Sequence, residues 1–405
     1  GASRGRRPRM YPDTSADPRQ TLSVELATGR LEVRVTRAAF PLDRLCGFAA
    51  RANPKRGFLF VSKVLGKHWP ARPATMERIH RYLARALARS LAQGPEPWLL
   101  VAMAETATGL GQGLFEALLE ERPDASALFL HSTRYRLPGC RALDFQEAHC
   151  HAPDQILYEP LDREHQRRFA AARELILIDD EISTGSTLCN LAAAYRARHP
   201  RLQRVHFVSI TNFSGERSAA TFSERLGLPV TLVSALDAEI DFSPAPRLAA
   251  RPAPSAVGDR RQRLDQLATA GGRFGISQRL PLCASEVAAL VADLPPEAPL
   301  LVLGTGELMH PAFRIGRALE RAGRDVRVQA TTRSPILLGA DIRRRLVFRD
   351  NYGEEIPNYL YNVDPNAYAR IILCHETPLD GLSDVRAQLG AHCVPYAALP
   401  AGSQA

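Results

Sequence analysis

Apolar residues gather in short unbroken runs separated by polar, turn-forming stretches. The clearest runs lie at Trp98 to Met103, Ala127 to Thr133, Leu175 to Ile178, Val205 to Ile210, Val230 to Ser234 and Leu300 to Leu303. Runs of this length, bounded by turn signals, predict buried strands. Between them the period changes. Met76 to Gln93 carries Ile79, Leu83, Ala86, Leu87 and Leu91 on one stripe with Arg78, Arg81, Arg85 and Arg89 elsewhere, which predicts an amphipathic helix with an exposed arginine face. Further helices are expected through Leu118, from the turn at 183–187 through His199, and on to about Ala322. Thr21 to Thr36 alternates strictly in LSVEL and LEVRV around Thr28 and Gly29, a hairpin for a hood or a sheet edge. Pro54 to Lys67 holds one more strand, and the flanking Lys55, Arg56, Lys63 and Lys67 read as a solvated rim. Parallel strands alternating with helices predict a doubly wound α/β domain.

At 405 residues the chain exceeds one ordinary domain, and two are expected. Residues 1–20 read as a disordered basic tail, 21–242 as the first domain, 243–258 as a linker and 259–405 as the second domain. Ser243 to Gly258 is rich in Pro and Ala and lacks apolar periodicity, as a linker does. The two halves also echo each other. In the first, a strand, a turn with Glu105, a helix with LFEALLEE and a second strand lead to Ser132-Thr133-Arg134. In the second, a strand, a turn with Glu307, a helix with IGRALERAG and a strand lead to Thr331-Thr332-Arg333. Each arginine precedes an irregular stretch with acids and tyrosines, and then an apolar strand, ARELILIDDEISTG or ARIILCHETPLDGL. The second domain therefore reads as a diverged copy of the first.

The chemistry concentrates in Leu175 to Thr187, LILIDDEISTGST. A buried strand delivers Asp179 and Asp180 to its end, where they can accept hydrogen bonds from vicinal sugar hydroxyls. Ser183, Thr184, Gly185, Ser186 and Thr187 then form a small-residue turn ahead of a helix N-terminus, a ready cradle for a phosphate dianion. Together they describe a 5-phosphoribosyl group. The second copy has His375-Glu376-Thr377-Pro378 instead, one acid fewer and no cradle, so one such site per chain is expected. The Gly304-Thr305-Gly306 turn is a weak anion signal.

The stretch closely resembles the PRPP motif of type I phosphoribosyltransferases. That resemblance implies their fold, a parallel sheet flanked by helices and topped by a hood, followed here by a second, diverged phosphoribosyltransferase-like α/β domain. It implies a Mg²⁺-dependent transferase that moves 5-phosphoribosyl from PRPP to a small nitrogenous acceptor, with Mg²⁺ bound mainly through PRPP and no direct protein ligand. In the family, the turn at Ala104, Glu105, Thr106 and Ala107 would hold pyrophosphate through backbone N–H groups. The irregular segment from Tyr135 to Tyr158 would be the closing lid, with Arg134 or Arg136 neutralising the leaving group. Thr332-Arg333-Ser334-Pro335 makes the second domain resemble the TRSP domain, found beside such transferases in bacterial tellurite-resistance and stress gene neighbourhoods, where a nucleoside-like metabolite is the implied product. Thr332, Arg333 and Ser334 are its candidate residues, with Arg333 expected to reach toward ligand. The second domain could act as an internal partner, giving an intramolecular pseudo-dimer, or hold a separate acceptor pocket; a homodimer is also open.

Composition changes this picture little. The net charge of +9 lies partly in Arg4, Arg6, Arg7 and Arg9, and no nucleic-acid module accompanies it. No apolar run is long enough to span a membrane and no signal peptide opens the chain, so a cytoplasmic protein is expected. The 7 cysteines form no CxxC pair and are expected to be reduced. His149, Cys150 and His151 are adjacent, and neighbours in sequence seldom converge on one ion, so no metal is expected there. Two rival readings stay open: a PRPP-binding regulator without turnover, for which no DNA-binding unit is visible, and a related enzyme acting on a nucleotide-like substrate.

Overall fold

The apolar runs become the inner strands of two parallel sheets. A computed structural model describes residues 20–52, 56–92, 94–145, 155–246, 267 and 271–396. The basic tail, the His149 to His151 triplet and most of the expected linker lie outside the described residues.

In the first domain, β1 (Thr21–Leu26) and β2 (Gly29–Ala38) form an antiparallel hairpin; α1 (Leu42–Leu45) leads to a second hairpin, β3 (Cys46–Ala50) and β4 (Phe58–Ser62), and then α2 (Pro73–Leu91). Next come β5 (Trp98–Ala102), α3 (Thr108–Glu121), β6 (Ala127–His131) and the short antiparallel pair β7 (Ala142–Leu143) and β8 (Leu157–Tyr158). They are followed by α4 (Arg163–Ala171), β9 (Glu174–Ile178), β10 (Glu181–Ile182), α5 (Ser186–Arg198), β11 (Arg204–Asn212), α6 (Ser218–Leu226) and β12 (Val230–Pro244).

The main sheet runs β1-β2-β12-β11-β9-β5-β6, with β10 beside β11. From β12 to β6 the pairing is parallel throughout, and chain order reverses between β5 and β9. Such a switch point opens a crevice at the carboxyl ends of the strands. Every residue of β9 is buried. Ile176 and Ile178 join the core beneath α2 and α3, while Leu175 and Leu177 join the core beneath α5 and α6. An apolar run is what a strand covered on both faces requires.

Of the two places expected for the alternating hairpin β1–β2, hood or sheet edge, it takes the sheet edge, paired with β12. β12 continues past Ser234 to Pro244, two residues into the segment expected as linker, because β2 offers it a long antiparallel partner. Helices α4 and α6 carry too few buried positions to stand out in the sequence; α4 buries only Phe169.

The second domain contains α7 (Ala284–Ala289), β13 (Pro299–Gly304), α8 (His310–Arg321), β14 (Asp325–Ala330), the antiparallel pair β15 (Arg345–Phe348) and β16 (Asn358–Tyr361), β17 (Arg370–His375), α9 (Ser383–Leu389) and β18 (His392–Pro395). Its sheet order, β14-β13-β17-β18, repeats β6-β5-β9-β11, and a two-stranded antiparallel pair sits at the same point of each chain order. Register fixes the equivalences. Ala102 pairs with His131 and Ile178, as Gly304 pairs with Ala330 and Cys374. Counting outward, Glu105 matches Glu307, Thr133 matches Thr332, Arg134 matches Arg333, and Asp180 matches Glu376.

The two domains face each other with reciprocal contacts. Phe129 exchanges backbone hydrogen bonds with Ile276 at 2.8 and 2.9 Å, and its equivalent Val328 does so with Ala71 at 3.0 and 2.8 Å. Thr133 donates its hydroxyl to Glu307 at 2.7 Å, and Thr332 is hydrogen-bonded to Glu105. α3 and α8, the equivalent helices of this internal two-fold, pack against each other. They approach so closely that a Cβ on Gly109 would lie 2.9 Å from Met309 Cβ.

Candidate active site

β9 ends in the acid pair at the switch point. The Asp179 amide still donates to Val208 across the sheet at 3.0 Å, and the Asp180 carbonyl accepts from Ile210 at 3.1 Å, so the sheet fixes both backbones. Their side chains are half-buried beside each other and beside Glu181. Burial and then the neighbouring Asp180 push the Asp179 carboxyl well above the usual range. Burial also raises Glu181; Arg56 pulls it back and Asp180 raises it again, leaving it at about 7. Burial is thus the main reason that two of the three acids at this strand end hold their protons.

The chain then turns through Ser183 and Thr184 to Gly185, which sits at φ 69° ahead of α5. A Cβ there would also come within 2.5 Å of the Phe222 ring. Glycine alone meets both demands easily. Thr184, Ser186 and Thr187 are exposed, with Ser183 and Gly185 half-buried, so the first turn of a 13-residue helix is open to solvent, and its Ser186 amide donates to Thr184 Oγ1 at 3.3 Å. Its leading N–H groups have no helical partner.

Across the switch point, Ala104 to Ala107 follow β5. Two of the four amides serve the turn itself: Ala104 donates to Ser132 Oγ at 2.8 Å and Ala107 to the Met103 carbonyl at 3.0 Å. The Ala104 and Ala107 amides are thereby taken, against the expectation that all four face a ligand. The Glu105 side chain is buried against Lys67 Nζ at 3.0 Å. Burial alone would raise this carboxyl, but Lys67 and Arg134 bring it down to about 2. Lys67 is therefore no part of a solvated rim: its side chain is 0% exposed and also donates to the Gly306 carbonyl at 2.7 Å. Arg134 is half-buried with Nε unpartnered among the described residues, whereas Arg136 is exposed. Among the described residues no group of three or more His, Cys, Asp or Glu is disposed to hold a metal ion.

The phosphoribosyl transferase family model PRTase_2 matches residues 45–239, and the model of the TRSP domain, described as C-terminal to PRTase_2, matches residues 270–387. The chain belongs to this fused family. No curated protein matches it in sequence. Among solved structures, the adenine phosphoribosyl transferase of Trypanosoma brucei, in complex with AMP, pyrophosphate and ribose-5-phosphate, is similar at 10% identity and a TM-score of 0.31, over 48% of this chain and 77% of that one. The APRTase of Giardia lamblia with 9-deazaadenine gives 14% identity and a TM-score of 0.27, over 40% and 80%. A hypoxanthine phosphoribosyltransferase of Staphylococcus aureus gives 15% and 0.23, over 37% and 69%.

In the TRSP domain the candidate residues turn inward. Thr332 is buried and bridges to Tyr359; Arg333 is paired with Glu354 and lies over the Tyr135 ring; Ser334 is tied through its amide to Thr332 Oγ1 at 3.1 Å and through its carbonyl to Tyr361. Glu354 holds Arg333 through Nη1, while Arg333 Nε is buried and unpartnered among the described residues. The Gly306 turn offers a carbonyl to Lys67 while its amide donates to Thr331 Oγ1 at 2.9 Å. A residue the sequence did not single out dominates here. Arg273 bridges Glu376 through two hydrogen bonds at 2.7 and 2.8 Å and reaches Glu307 at 2.8 Å. Tyr352 donates to the same Glu376 at 2.7 Å. At the crevice equivalent to the transferase site, the protein's own guanidinium thus pairs with both acids.

Proposed function

We propose that the transferase domain moves 5-phosphoribosyl from PRPP to a nitrogenous acceptor and releases pyrophosphate, in the making of a nucleoside-like metabolite. The observation that carries this reading is the meeting of an acid pair and an open, glycine-led helix N-terminus at the carboxyl end of β9, beside the switch point. The 183–187 turn would anchor the 5-phosphate through its amides. Asp179 and Asp180 would hold the ribose hydroxyls and favour positive charge on the ring as the C1–O bond breaks, its electron pair passing to pyrophosphate. The Glu105 and Thr106 amides and the unpartnered Arg134 Nε would receive the leaving group's charge. Three acids in a row at this strand end, with burial favouring the protonated forms of Asp179 and Glu181, suit a ligand that brings a cation with it. Mg²⁺, when bound through PRPP oxygens, supplies neutralisation of the pyrophosphate.

In the TRSP crevice Arg273 pairs with both Glu376 and Glu307 and no small-residue turn follows the acid, which supports one PRPP site per chain. Asp180→Asn tests the reading. Its pyrophosphate release should fall by two or more orders of magnitude with an unchanged melting curve; undiminished release would refute the proposed role.

A further inference from the structure

A cleft opens between the two domains where Arg273 meets Glu307 and Glu376. It holds about 450 Å³ of empty space, part of it open to solvent. α3 supplies one wall through Thr108 and Gln112, β6 ends in it at His131, and the TRSP side brings the turn ahead of α8 together with Tyr396. Several of its polar groups have nothing to bond. Gln112 is 7% exposed, yet neither end of its amide has a partner among the described residues. The same holds for His131 Nε2 and the Tyr396 hydroxyl. A buried polar group left unpaired costs about 1–3 kcal/mol, and native proteins keep few of them.

These groups set the chemistry. His131 Nδ1 donates to the Ser132 carbonyl at 2.7 Å, so Nε2 carries a lone pair. Burial and then the Arg273 charge lower the pKa of this imidazole, which keeps the ring neutral. Gln112 offers both a donor and an acceptor, and Tyr396 can act as either. A hydroxyl has the same double character, so neighbouring hydroxyls on one molecule answer such a mixed set. An anion is disfavoured. Arg273 is the one guanidinium or ammonium among the described residues lining the cleft, and Glu307 and Glu376 already engage it. α8 begins here, but Pro311 in its first turn removes an amide that an anion would use.

We propose that this cleft is a second ligand site, for an uncharged molecule with vicinal hydroxyls, a free sugar or a nucleoside. Its wall is tied to the transferase side. Glu307 accepts from the Arg134 amide and from Thr133 Oγ1, each at 2.7 Å, and its carbonyl accepts from Thr108 Oγ1 at 2.8 Å. Arg134 and the turn just before Thr108 are the parts proposed for pyrophosphate, so occupancy of the cleft bears on PRPP binding; this coupling, unlike the site itself, rests on the transfer reading.

The test is calorimetric titration of the full-length protein with ribose, adenosine, deoxyadenosine and AMP. Ribose, adenosine or both should bind, the pattern telling sugar from nucleoside, and deoxyadenosine, which lacks the vicinal pair, should bind more weakly than adenosine. Gln112→Leu should weaken that binding tenfold or more, as expected when a buried polar contact is lost, while Asp180→Asn, which alters the proposed PRPP site, leaves it within twofold. Should Gln112→Leu fold poorly, Tyr396→Phe at the half-buried side of the cleft carries the test and should show a loss in the same direction. Binding of neither ribose nor adenosine, or binding that both cleft variants leave unchanged, overturns the site. Tighter Gln112-dependent binding of AMP than of adenosine overturns the uncharged class. Saturating adenosine should shift PRPP affinity threefold or more in native protein and not in Gln112→Leu; no shift overturns the coupling through Glu307. Failure of PRPP itself to bind would overturn the transfer reading instead, and the titrations without PRPP would still decide the site.

Discussion

A buried carboxyl group holds its proton, and Glu181, third in a row of acids, shows the consequence. Its folded value of about 7 stands above the ordinary 4.5, with burial the largest cause. A raised carboxyl favours the fold while protonated. The contribution is complete below about pH 4.5 and is lost as pH rises through about 7, a span worth roughly 3 kcal/mol. Urea unfolding without ligand, at about pH 4.5 and about pH 8, should show native protein losing stability across that window by roughly this much more than Glu181→Gln. Asp179 is shifted in the same direction, in part by Glu181 itself, so its share also falls in Glu181→Gln and adds to the difference. Parallel pH profiles for the two would remove Glu181 as the source. The acid pair itself was legible in the sequence because its members are neighbours. Lys67, Arg273 and Glu376 were not, since their partners are distant: Arg273 meets Glu376 across 103 positions. A lysine at the end of an apolar run looks solvated until a second domain covers it.

At the scale of elements, legibility followed burial on both faces. β5, β6, β9 and β11 declared themselves as apolar runs, and α2 as a stripe, because each is pressed against a core. The turn into α5 was legible for another reason, its density of small residues, and the structure shows what one of them does. Gly185 combines a positive φ with a close approach to Phe222, so an alanine would meet backbone strain and a clash together. Strain of the left-handed region costs about 1–2 kcal/mol, and relief would come by moving the first turn of α5. Gly185→Ala should therefore lower the urea midpoint and weaken PRPP binding tenfold or more, read by titration calorimetry. A variant that loses stability yet binds PRPP normally would show that the α5 amides do not hold the 5-phosphate.

At the scale of the molecule, the reciprocal contacts make the TRSP domain part of the transferase domain's interior. Ala71 and Met76 share one hydrophobic cluster with Ala312, Phe313 and Val328, while Met309 and Ala330 pack into the main transferase core. α3 and α8 are joined further by Glu116, which accepts from His310 at 2.9 Å and Arg314 at 2.6 Å. The turn beside the proposed pyrophosphate position is gripped from both sides: Glu105 by Lys67 and Thr332, and Lys67 by the Gly306 carbonyl. Cutting the chain after residue 258 would expose the apolar faces of α2 and α3 and leave Lys67 without Gly306. Breaking a buried charged contact of this kind costs about 3–5 kcal/mol, a large part of a domain's stability. The full chain should therefore unfold in a single calorimetric transition, and residues 1–258 alone should aggregate or lose PRPP binding on gel filtration and titration. A monomeric 1–258 fragment with native PRPP affinity would show that Thr332 and Gly306 do not hold the turn, and that the internal two-fold serves something other than this site.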